Sequence, residues 1–196
     1  MSSCAGDLAI VVTSYLLPGW MRSRWWGWNS QCGDLIVIDE TDVPEMRDGY
    51  FSITRCANIG IRRAIAEGYR VIAKTDIDCI IPHDTASRWR ALPAQEAMCH
   101  RYWHVDDARC IQPRLDMRRC GTIAMRAEDW QRCGMYDEDM SGYGYDDADI
   151  QRRAKASGIR CLLVSEPRVY HIRHEPHNRE TCNPVRRKEN MRMAKG

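Results

Sequence analysis

The sequence is poor in the features that mark several broad classes of protein. Its formal net charge of only +2 over 196 residues does not by itself point to a polyanionic partner. None of the ten cysteines forms a C-x-x-C pair, which argues against zinc fingers. No apolar run reaches membrane-spanning length, and we find no internal repeat or low-complexity block. With 44% hydrophobic residues, the chain is most simply one domain that buries a single core.

Lysine is also scarce, because 25 of the 29 basic residues are arginine. Such a bias can reflect anion recognition, but it more often reflects genome composition. The apolar run at 8–20 is preceded by Asp7 and by no basic residue, so it does not resemble a secretory signal. We therefore expect an unanchored, cytoplasmic protein whose scattered thiols are reduced.

The apolar pattern of the first half alternates between strands and helices. Short runs rich in β-branched residues at 8–15 and 34–40 are typical of strands covered on both faces in a parallel sheet. Helical spacing at 57–68 and a third strand at 69–82 continue this order. The pattern predicts parallel strands with a functional site at their carboxyl ends.

The second half is less regular. We predict an irregular polar middle at 83–118, a strand at 117–125 and a helix at 147–157 that begins with acidic residues. The last strands are predicted at 161–172. A polar, basic end of the chain follows them.

Two aspartates at the end of the predicted third strand are candidates for metal binding. Asp76 and Asp78 are alternate residues, so we expect both side chains on one side of the strand. Neighbouring carboxylates repel each other unless a cation neutralises them, which suits Mg²⁺ or Mn²⁺ carrying a diphosphate. Acids at strand ends are also ordinary turn residues. The pair alone therefore favours a metal site only weakly.

Three histidines at 171, 174 and 177 follow the last predicted strand. Pro176 argues against a helix here, so we expect an extended or turn segment. Imidazole nitrogen would complete a mixed oxygen and nitrogen site for Mn²⁺ or another borderline metal. The alternative is a solvated tail with pH-sensitive histidines. Taken with the two aspartates, the histidines favour the metal site.

Several motifs, in this order, resemble the GT-A nucleotide-sugar glycosyltransferases, and those of the C-terminal half resemble the β-1,4-galactosyltransferase branch. The motifs are LIVIDE, TRCANIGIRRA, DIDCIIPHD, the segment from CGTIAM to GYGYDDADIQRR, and HIRH with NPVRR. Each is common alone, but their order is specific. The resemblance implies an α/β fold: a single GT-A (Rossmann-like) domain over 1–196 with a mostly parallel central sheet flanked by helices. Its core would span about 8–178, before a basic tail at 179–196.

The resemblance also implies a donor site for a UDP-sugar. Asp78 and His174 would bind the metal, and His171 stands where galactosyltransferases often have a methionine. That departure leaves the preference between Mn²⁺ and Mg²⁺ open. Asp76 would contact the ribose or the sugar. The other positions expected near the nucleotide are Thr13, Asp39, Arg55, Asn58 and Gly121.

Adjacent aspartates precede the predicted helix at 147–157. By the resemblance, Asp147 is the general base that takes the proton of an acceptor hydroxyl, and Asp146 orients the acceptor. The alternative is that these acids only complement the positive end of a helix, which is what we expect of Asp149. Gly142 and Gly144 would permit a tight, mobile loop before them.

The expected activity is transfer of a hexose from a UDP-sugar to an acceptor hydroxyl, with inversion and without a covalent intermediate. The metal and Arg55 would hold the departing diphosphate. The acceptor is expected to be a saccharide or a hydroxymethylated DNA base, because the compact, Arg-rich chain also resembles phage-type transferases that glucosylate such bases. The alternative is a non-catalytic, metal-dependent nucleic-acid-binding module.

Two features bear on the acceptor. Trp103 is a better candidate than the tryptophans at 25–28 for a ring that stacks on the acceptor. The basic residues at 186–195 could follow phosphates or could form an ordinary solvated end.

Overall fold

The computed structural model describes residues 6–14, 32–39, 42–43, 52–106, 113–142, 144–173 and 184–195. Seven strands and five helices lie within these ranges. In chain order they are β1 Leu8–Thr13, β2 Asp34–Ile38, α1 Ile53–Ala66, β3 Val71–Asp76, β4 Cys79–Ile80, α2 His83–Arg90, β5 Glu96–Val105, β6 Arg114–Arg126, α3 Ala127–Arg132, α4 Asp146–Ala156, β7 Arg160–Ile172 and α5 Pro184–Lys195. Within this described part, no helix is long and apolar enough to cross a membrane.

The strands form one mixed sheet in the order β2-β1-β3-β6-β5-β7-β4. β1 pairs in parallel with β2 and β3, and β5 pairs in parallel with β7. The pairings β3 with β6, β5 with β6 and β4 with β7 are antiparallel. The predicted α/β class is confirmed, and the predicted parallel arrangement holds for the first three strands. Antiparallel pairs make the rest of the sheet more mixed than the sequence indicated.

Apolar side chains cover both faces of the sheet. Every residue of β1 is buried, as expected for a strand with packing on both sides. One core cluster lies on one face and includes Val11, Ile61 and Ile123, while the other includes Val12 and Trp89. Helix α1 therefore packs against one face and α2 against the other.

The predicted irregular middle at 83–118 is wrong, because this range contains α2, all of β5 and the start of β6. β5 carries several polar residues, so its hydropathy does not mark it as a strand. His100 is fully buried, and its Nε2 accepts a hydrogen bond of 2.8 Å from Trp89 Nε1. Burial lowers the pKa of His100 to about 4, so the ring is neutral at physiological pH and belongs to the core.

The predicted third strand at 69–82 is interrupted. β3 ends at Asp76, residues 77 and 78 turn, and β4 begins at Cys79 and pairs with β7. The expectation that Asp76 and Asp78 share one side of a continuous strand is therefore wrong. This turn takes the chain from β3 to β4, which is the edge strand at the opposite side of the sheet from β2.

Candidate active site

The first three strands end side by side and place several predicted site residues at one edge of the sheet. Thr13, the last residue of β1, is paired in register with Asp76, the last residue of β3. Asp39 directly follows β2, whose Ile38 is also in register with Thr13. The predicted nucleotide positions Thr13, Asp39 and Asp76 therefore lie together at the carboxyl ends of the parallel strands, where α/β proteins usually bind ligands.

Two buried hydroxyl groups at this edge have no hydrogen-bond partner among the residues that the structure describes. Thr13 Oγ1 and Ser14 Oγ are both buried, and neither makes a hydrogen bond to the part of the chain that the structure describes. Buried polar atoms are nearly always hydrogen-bonded, so unpartnered hydroxyls are typical of a site that receives a polar ligand. They fit a nucleotide at this position.

Asp76 is held by two side chains that the sequence did not predict. Lys74 Nζ donates a hydrogen bond of 2.8 Å to Asp76 Oδ1, and Tyr102 Oη donates one of 3.2 Å to Oδ2. Burial first, and then the negative charge of Asp76, raise the pKa of Tyr102 well above its usual value, so its hydroxyl stays protonated. Asp76 thus has a fixed orientation before any ligand arrives.

Gly121 makes this arrangement possible. A Cβ atom at this position would overlap Tyr102 Oη and would lie 3.1 Å from Asp76 Oδ2. Because no side chain fits there, only glycine leaves room for the bond between tyrosine and aspartate. Gly121 was predicted to lie near the nucleotide, and it lies beside two of the site's polar side chains.

Asp78 and His171 lie together, although they belong to different parts of the chain. His171 Nε2 is 3.2 Å from Asp78 Oδ2, and both side chains are mostly buried. The pairing of Cys79 with His171 in β4 and β7 brings them together. The ring of Tyr102 lies 5.0 Å from that of His171, so one tyrosine contacts both this pair and Asp76.

A second pair of side chains, His104 and Asp116, lies next to His171. The ring of His104 packs edge to face against that of His171, with centroids 4.9 Å apart. His104 Nε2 lies 3.2 Å from Asp116 Oδ2. These contacts limit the orientations that the His171 imidazole can adopt.

The oxygen and nitrogen atoms of Asp78 and His171 fit a divalent metal as ligands. In the ranges that the structure describes, no group of three His, Cys, Asp or Glu side chains is arranged to hold an ion. The predicted ligand His174 lies outside the described residues. Mg²⁺ and similar ions are commonly held by few protein ligands together with phosphate oxygens and water. A carboxylate and an imidazole are suitable protein ligands for such a site.

The two candidate catalytic acids begin α4. Asp146 is buried and Asp147 is half-buried, and Asp147 Oδ1 is a buried atom without a hydrogen-bond partner among the described residues. Tyr145, just before them, has a φ of 71°, and Gly142 and Gly144 have φ values of 73° and 101°. Three left-handed residues within four positions make the tight turn that the two glycines predicted.

Asn58 fixes the segment that leads to this turn. Its Nδ2 donates hydrogen bonds of 2.9 Å to the Tyr136 carbonyl and to Glu138 Oε1, and its Oδ1 accepts one of 3.0 Å from the Tyr136 amide. The polar atoms of this buried side chain therefore contact protein. Asn58 positions the segment before α4, and a contact with the nucleotide stays a prediction.

Two more anchors hold the turn itself. Ser52 Oγ and Thr54 Oγ1, at the start of α1, donate hydrogen bonds of 3.3 Å and 3.1 Å to the Met140 carbonyl. Asn190 Nδ2 in α5 donates to the carbonyls of Ser141 and Gly144 at 3.0 Å and 3.2 Å. The backbone before Asp146 is thus tied to α1 on one side and to α5 on the other.

Three carboxylates share one buried cation. Lys74 is 1% exposed, and it interacts electrostatically with Asp76, Asp146 and Asp147. Burial, the charge of Asp146 and, to a smaller degree, that of Asp76 raise the pKa of Asp147 well above its ordinary value, while Lys74 lowers it. The structure therefore brings the predicted acid pair to the same site as Asp76.

Arg55 and Trp103 are two further residues that the sequence analysis singled out. Arg55 lies in the first turn of α1, where its backbone amide donates to Ser52 Oγ at 3.4 Å, and its contact with a diphosphate stays a prediction. The Arg168 guanidinium lies 4.2 Å from the centroid of the Trp103 ring, and Trp103 Nε1 donates to the Ser165 carbonyl. One face of that ring is therefore already covered. The tryptophans at 25–28 lie outside the described residues.

Comparison with known proteins shows which family and which fold the chain resembles. Residues 106–175 match the family model described as the N-terminal domain of galactosyltransferase. The catalytic domain of Drosophila β-1,4-galactosyltransferase 7 in complex with xylobiose has a TM-score of 0.61 and 13% identity, over 96% of this chain and 79% of that one. A second structure of the Drosophila enzyme, with manganese, UDP-Gal and xylobiose, has a TM-score of 0.60 and 11% identity, over 93% and 80%.

A third similar structure is GalNAc-T7 with UDP, GalNAc and Mn²⁺, at a TM-score of 0.62 and 12% identity. The similarity covers 87% of this chain and 44% of that one. No curated protein is significantly similar to the chain in sequence. The predicted class is confirmed: the chain has the GT-A fold of glycosyltransferases and carries a galactosyltransferase-family match in its C-terminal half.

Proposed function

We propose that this protein transfers a hexose from a UDP-sugar to an acceptor hydroxyl, with inversion at the anomeric carbon. The observation that carries the proposal is the meeting of Asp76, Asp146 and Asp147 around Lys74 at the site that also contains the Asp78 and His171 pair. On a GT-A fold, this arrangement would supply a place for the donor and a base for the acceptor.

The donor would bind at the carboxyl ends of β1, β2 and β3. Thr13 Oγ1 is buried and has no hydrogen-bond partner in the described part of the chain, so it would be available to a polar group of the nucleotide, and Asp39 and Asp76 lie beside it. Asp78 and His171, with His174, would hold Mn²⁺ or Mg²⁺, which would offset the negative charge of the departing diphosphate. Arg55 would contribute a second positive charge to the same group.

The acceptor hydroxyl would meet Asp147. A carboxylate in hydrogen-bond reach can take its proton as the new glycosidic bond forms. The raised pKa of Asp147 makes it a stronger base than an exposed aspartate once it is ionised. Asp146 would orient the acceptor, and no covalent intermediate on the protein is required.

The test is release of UDP from a panel of UDP-sugars, with and without Mn²⁺, in the presence of oligosaccharides or hydroxymethylated DNA. Mass spectrometry of both acceptor classes then identifies the acceptor by its gain in mass. We expect UDP release that depends on a divalent metal and on a hydroxyl acceptor. If no donor releases UDP with any acceptor, while DNA binds with a steep salt dependence, a non-catalytic binding module is the better description.

One observation favours DNA as an acceptor. Helix α5 has five basic residues and one acidic residue in its twelve positions. Through Asn190 it is tied to the turn before Asp146, and Arg187 lies 5.9 Å from the centroid of the Tyr145 ring. A positively charged helix is therefore held next to the place where the acceptor would enter, and phosphates of a nucleic acid would be attracted there.

Neutralising exposed charges on α5 distinguishes the two acceptors. We expect Arg192→Gln with Lys195→Gln to weaken use of a DNA acceptor and to reduce its salt slope by roughly 0.9 for each lost phosphate contact. Use of a neutral oligosaccharide acceptor would not change. KM for each acceptor, measured at several salt concentrations, gives the answer, and Lys155→Gln on the exposed face of α4 is the matched control. Equal KM values for DNA in variant and wild type would contradict the role of α5.

The close approach of Tyr102 Oη and Asp76 Oδ2 to Gly121 gives a second prediction. Gly121→Ala places a methyl group where Tyr102 Oη lies, so the hydroxyl must leave Asp76. Displacement of a positioned group by about 1 Å can cost on the order of 10²-fold in rate, and we expect a loss of kcat/KM of that size. Tyr102→Phe removes the atom that the methyl group would meet. The double variant is therefore expected to lose less than the product of the two single losses, and full activity of Gly121→Ala would contradict the prediction.

A further inference from the structure

Lys74 is an unusual residue for the interior of a β-strand. Its side chain is 1% exposed, in a strand whose first five residues are all buried. Lysine is rarely buried unless its charge is compensated, because removing an ammonium group from water is unfavourable. Burial by itself would lower the pKa of Lys74, yet the surrounding negative charges raise it well above the usual value. The group is therefore a buried cation.

The charges around Lys74 come from two elements. Asp76, on the same strand, accepts its hydrogen bond at 2.8 Å. Asp146 and Asp147 interact with it from the first turn of α4, and the Tyr136 ring centroid lies 6.0 Å from Nζ. The ammonium group thus binds Asp76 directly and acts on the α4 pair through its charge.

The other titratable groups that face Asp147 do not offset its charge. Asp146 lies beside it on α4, Asp76 faces it from β3, and Cys120 faces it from β6. Tyr102 on β5 and Tyr136 before α4 also interact with it electrostatically. Burial raises the pKa of both tyrosines well above the usual value, so both are neutral. Within this group of residues, Lys74 is the single positive charge.

We propose that Lys74 is a positioning residue for the proposed transfer reaction. Its ammonium group holds the Asp76 carboxylate in place through their hydrogen bond, and its positive charge favours the ionised form of Asp147, which is the form that accepts a proton from the acceptor. The inference rests on the proposed function, but the compensation of charge that it requires can be measured without any substrate.

A role of Lys74 in charge compensation and a role in packing make different predictions for a substitution. A packing role requires only the volume of the side chain, and methionine supplies nearly the same volume without the charge. A role in charge compensation requires the ammonium group and depends on whether the carboxylates are ionised. Lys74→Met therefore separates the two roles, with Lys155→Met as a matched control at an exposed position of α4.

The first readout is the pH dependence of kcat. The positive charge of Lys74 lowers the pKa of Asp147, so removal of that charge moves the acid limb of the profile to higher pH. At a fixed pH on that limb, kcat falls about tenfold for each pH unit by which the limb moves. Lys155→Met is expected to keep the wild-type profile. A wild-type acid limb in Lys74→Met would overturn the proposal.

The second readout is a double-mutant cycle on thermal stability. At pH 8, Lys74→Met is expected to lower Tm strongly in the wild type and clearly less in the Asp147→Asn background, because fewer buried carboxylates then lack a counter-ion. Additive changes in Tm would overturn the proposal. If Lys74→Met does not fold, the double variant decides: a folded double variant supports compensation, and an unfolded one shows that the lysine is required for packing.

The two readouts also separate the two proposals. Wild-type protein that releases no UDP from any donor contradicts the proposed function, whatever the stability cycle shows. Suppose instead that the wild type is active, that Lys74→Met keeps the wild-type kcat and pH profile, and that the Tm changes in the cycle are additive. This result contradicts only the role of Lys74. Coupled stability with a displaced pH profile is the result that we expect.

Discussion

Replacement of Asp147 by asparagine is expected to lower kcat by roughly 10²–10⁴-fold, which is the usual contribution of a general base. The amide has nearly the same shape as the carboxylate but cannot accept the proton of the acceptor hydroxyl. The KM for the UDP-sugar should change little, because the donor is expected at the strand ends beside Thr13 and Asp76. Steady-state kinetics with UDP detection measures both constants.

The same substitution is expected to stabilise the protein at high pH. The folded state raises the pKa of Asp147, chiefly by burial and next by the charge of Asp146. A carboxyl group with a raised pKa favours folding while it is protonated, and this advantage is lost as the pH rises through the raised value. Asparagine has no such loss. The Tm of Asp147→Asn relative to wild type should therefore increase with pH, and for a chain of this size about 1 kcal/mol corresponds to roughly 2–4 °C.

Asp149 is the matched control, because it lies on the same helix and is fully buried but has cationic partners. Its Oδ1 accepts a hydrogen bond of 2.7 Å from Arg152 Nη2, and Arg153 Nε lies 3.9 Å from its Oδ2. We expect Asp149→Asn to lower Tm, because it removes the carboxylate that binds Arg152, and to leave kcat within a few fold. If Asp149→Asn loses more activity than Asp147→Asn, the assignment of the base is wrong.

The sequence predicted the parts of the fold in which local pattern and tertiary environment agree. β1 and β2 are short apolar strands, and α1 has a clear helical period, so each was predicted to within a few residues at most boundaries. β5 was missed because His100, Arg101 and His104 gave it a polar appearance. The burial of His100 depends on Trp89, which donates to it from another element, and no local pattern contains that information.

The sequence predicted those residues of the candidate site whose side-chain type is itself a signal of function. Asp76, Asp78, Asp147 and His171 are charged or metal-binding residues in ordered motifs, and the structure brings them to one region. Lys74 was not predicted, although a lysine directly after the apolar residues VIA of this strand is a visible signal.

Tyr102 and Asn190 gave no comparable signal. Their roles follow from hydrogen bonds over long sequence separations, Tyr102 to Asp76 and Asn190 to the carbonyls of Ser141 and Gly144. The irregular register of β5 against β6 near Arg101 also affects where Tyr102 lies. Contacts of this kind are set by the packing of elements, which a single sequence does not reveal.

Removal of the Asp78 carboxylate has the second of the two largest expected effects. Asp78→Asn leaves His171 without the carboxylate that lies 3.2 Å from its Nε2, so a divalent ion loses its predicted anionic ligand. We expect metal-dependent UDP release to fall by on the order of 10²-fold or more, because removal of a residue that only supports a metal ligand typically costs about 10–100-fold. Asp7→Asn, a change of the same kind at an exposed position outside the site, should have no effect.

A binding measurement checks the same prediction without catalysis. A ligand at 100 times its Kd stabilises a protein by about 2.7 kcal/mol, so Mn²⁺ with UDP should raise the Tm of the wild type by roughly 5 °C or more. Asp78→Asn should lose most of that increase while it keeps the Tm of the metal-free wild type within a few degrees. An unchanged increase would place the metal elsewhere and would contradict the site.

We expect His171 to determine which metal the site prefers. Imidazole nitrogen is a harder ligand than the thioether that galactosyltransferases often have at this position, so Mg²⁺ should support activity in the wild type. His171→Met substitutes the softer thioether, and it should lower the ratio of Mg²⁺-supported to Mn²⁺-supported kcat/KM. The packing of His104 and Tyr102 against the His171 ring leaves room for a flexible side chain of similar size, so the change tests ligand chemistry more than shape. Equal metal ratios in the variant and the wild type would show that His171 is not a ligand.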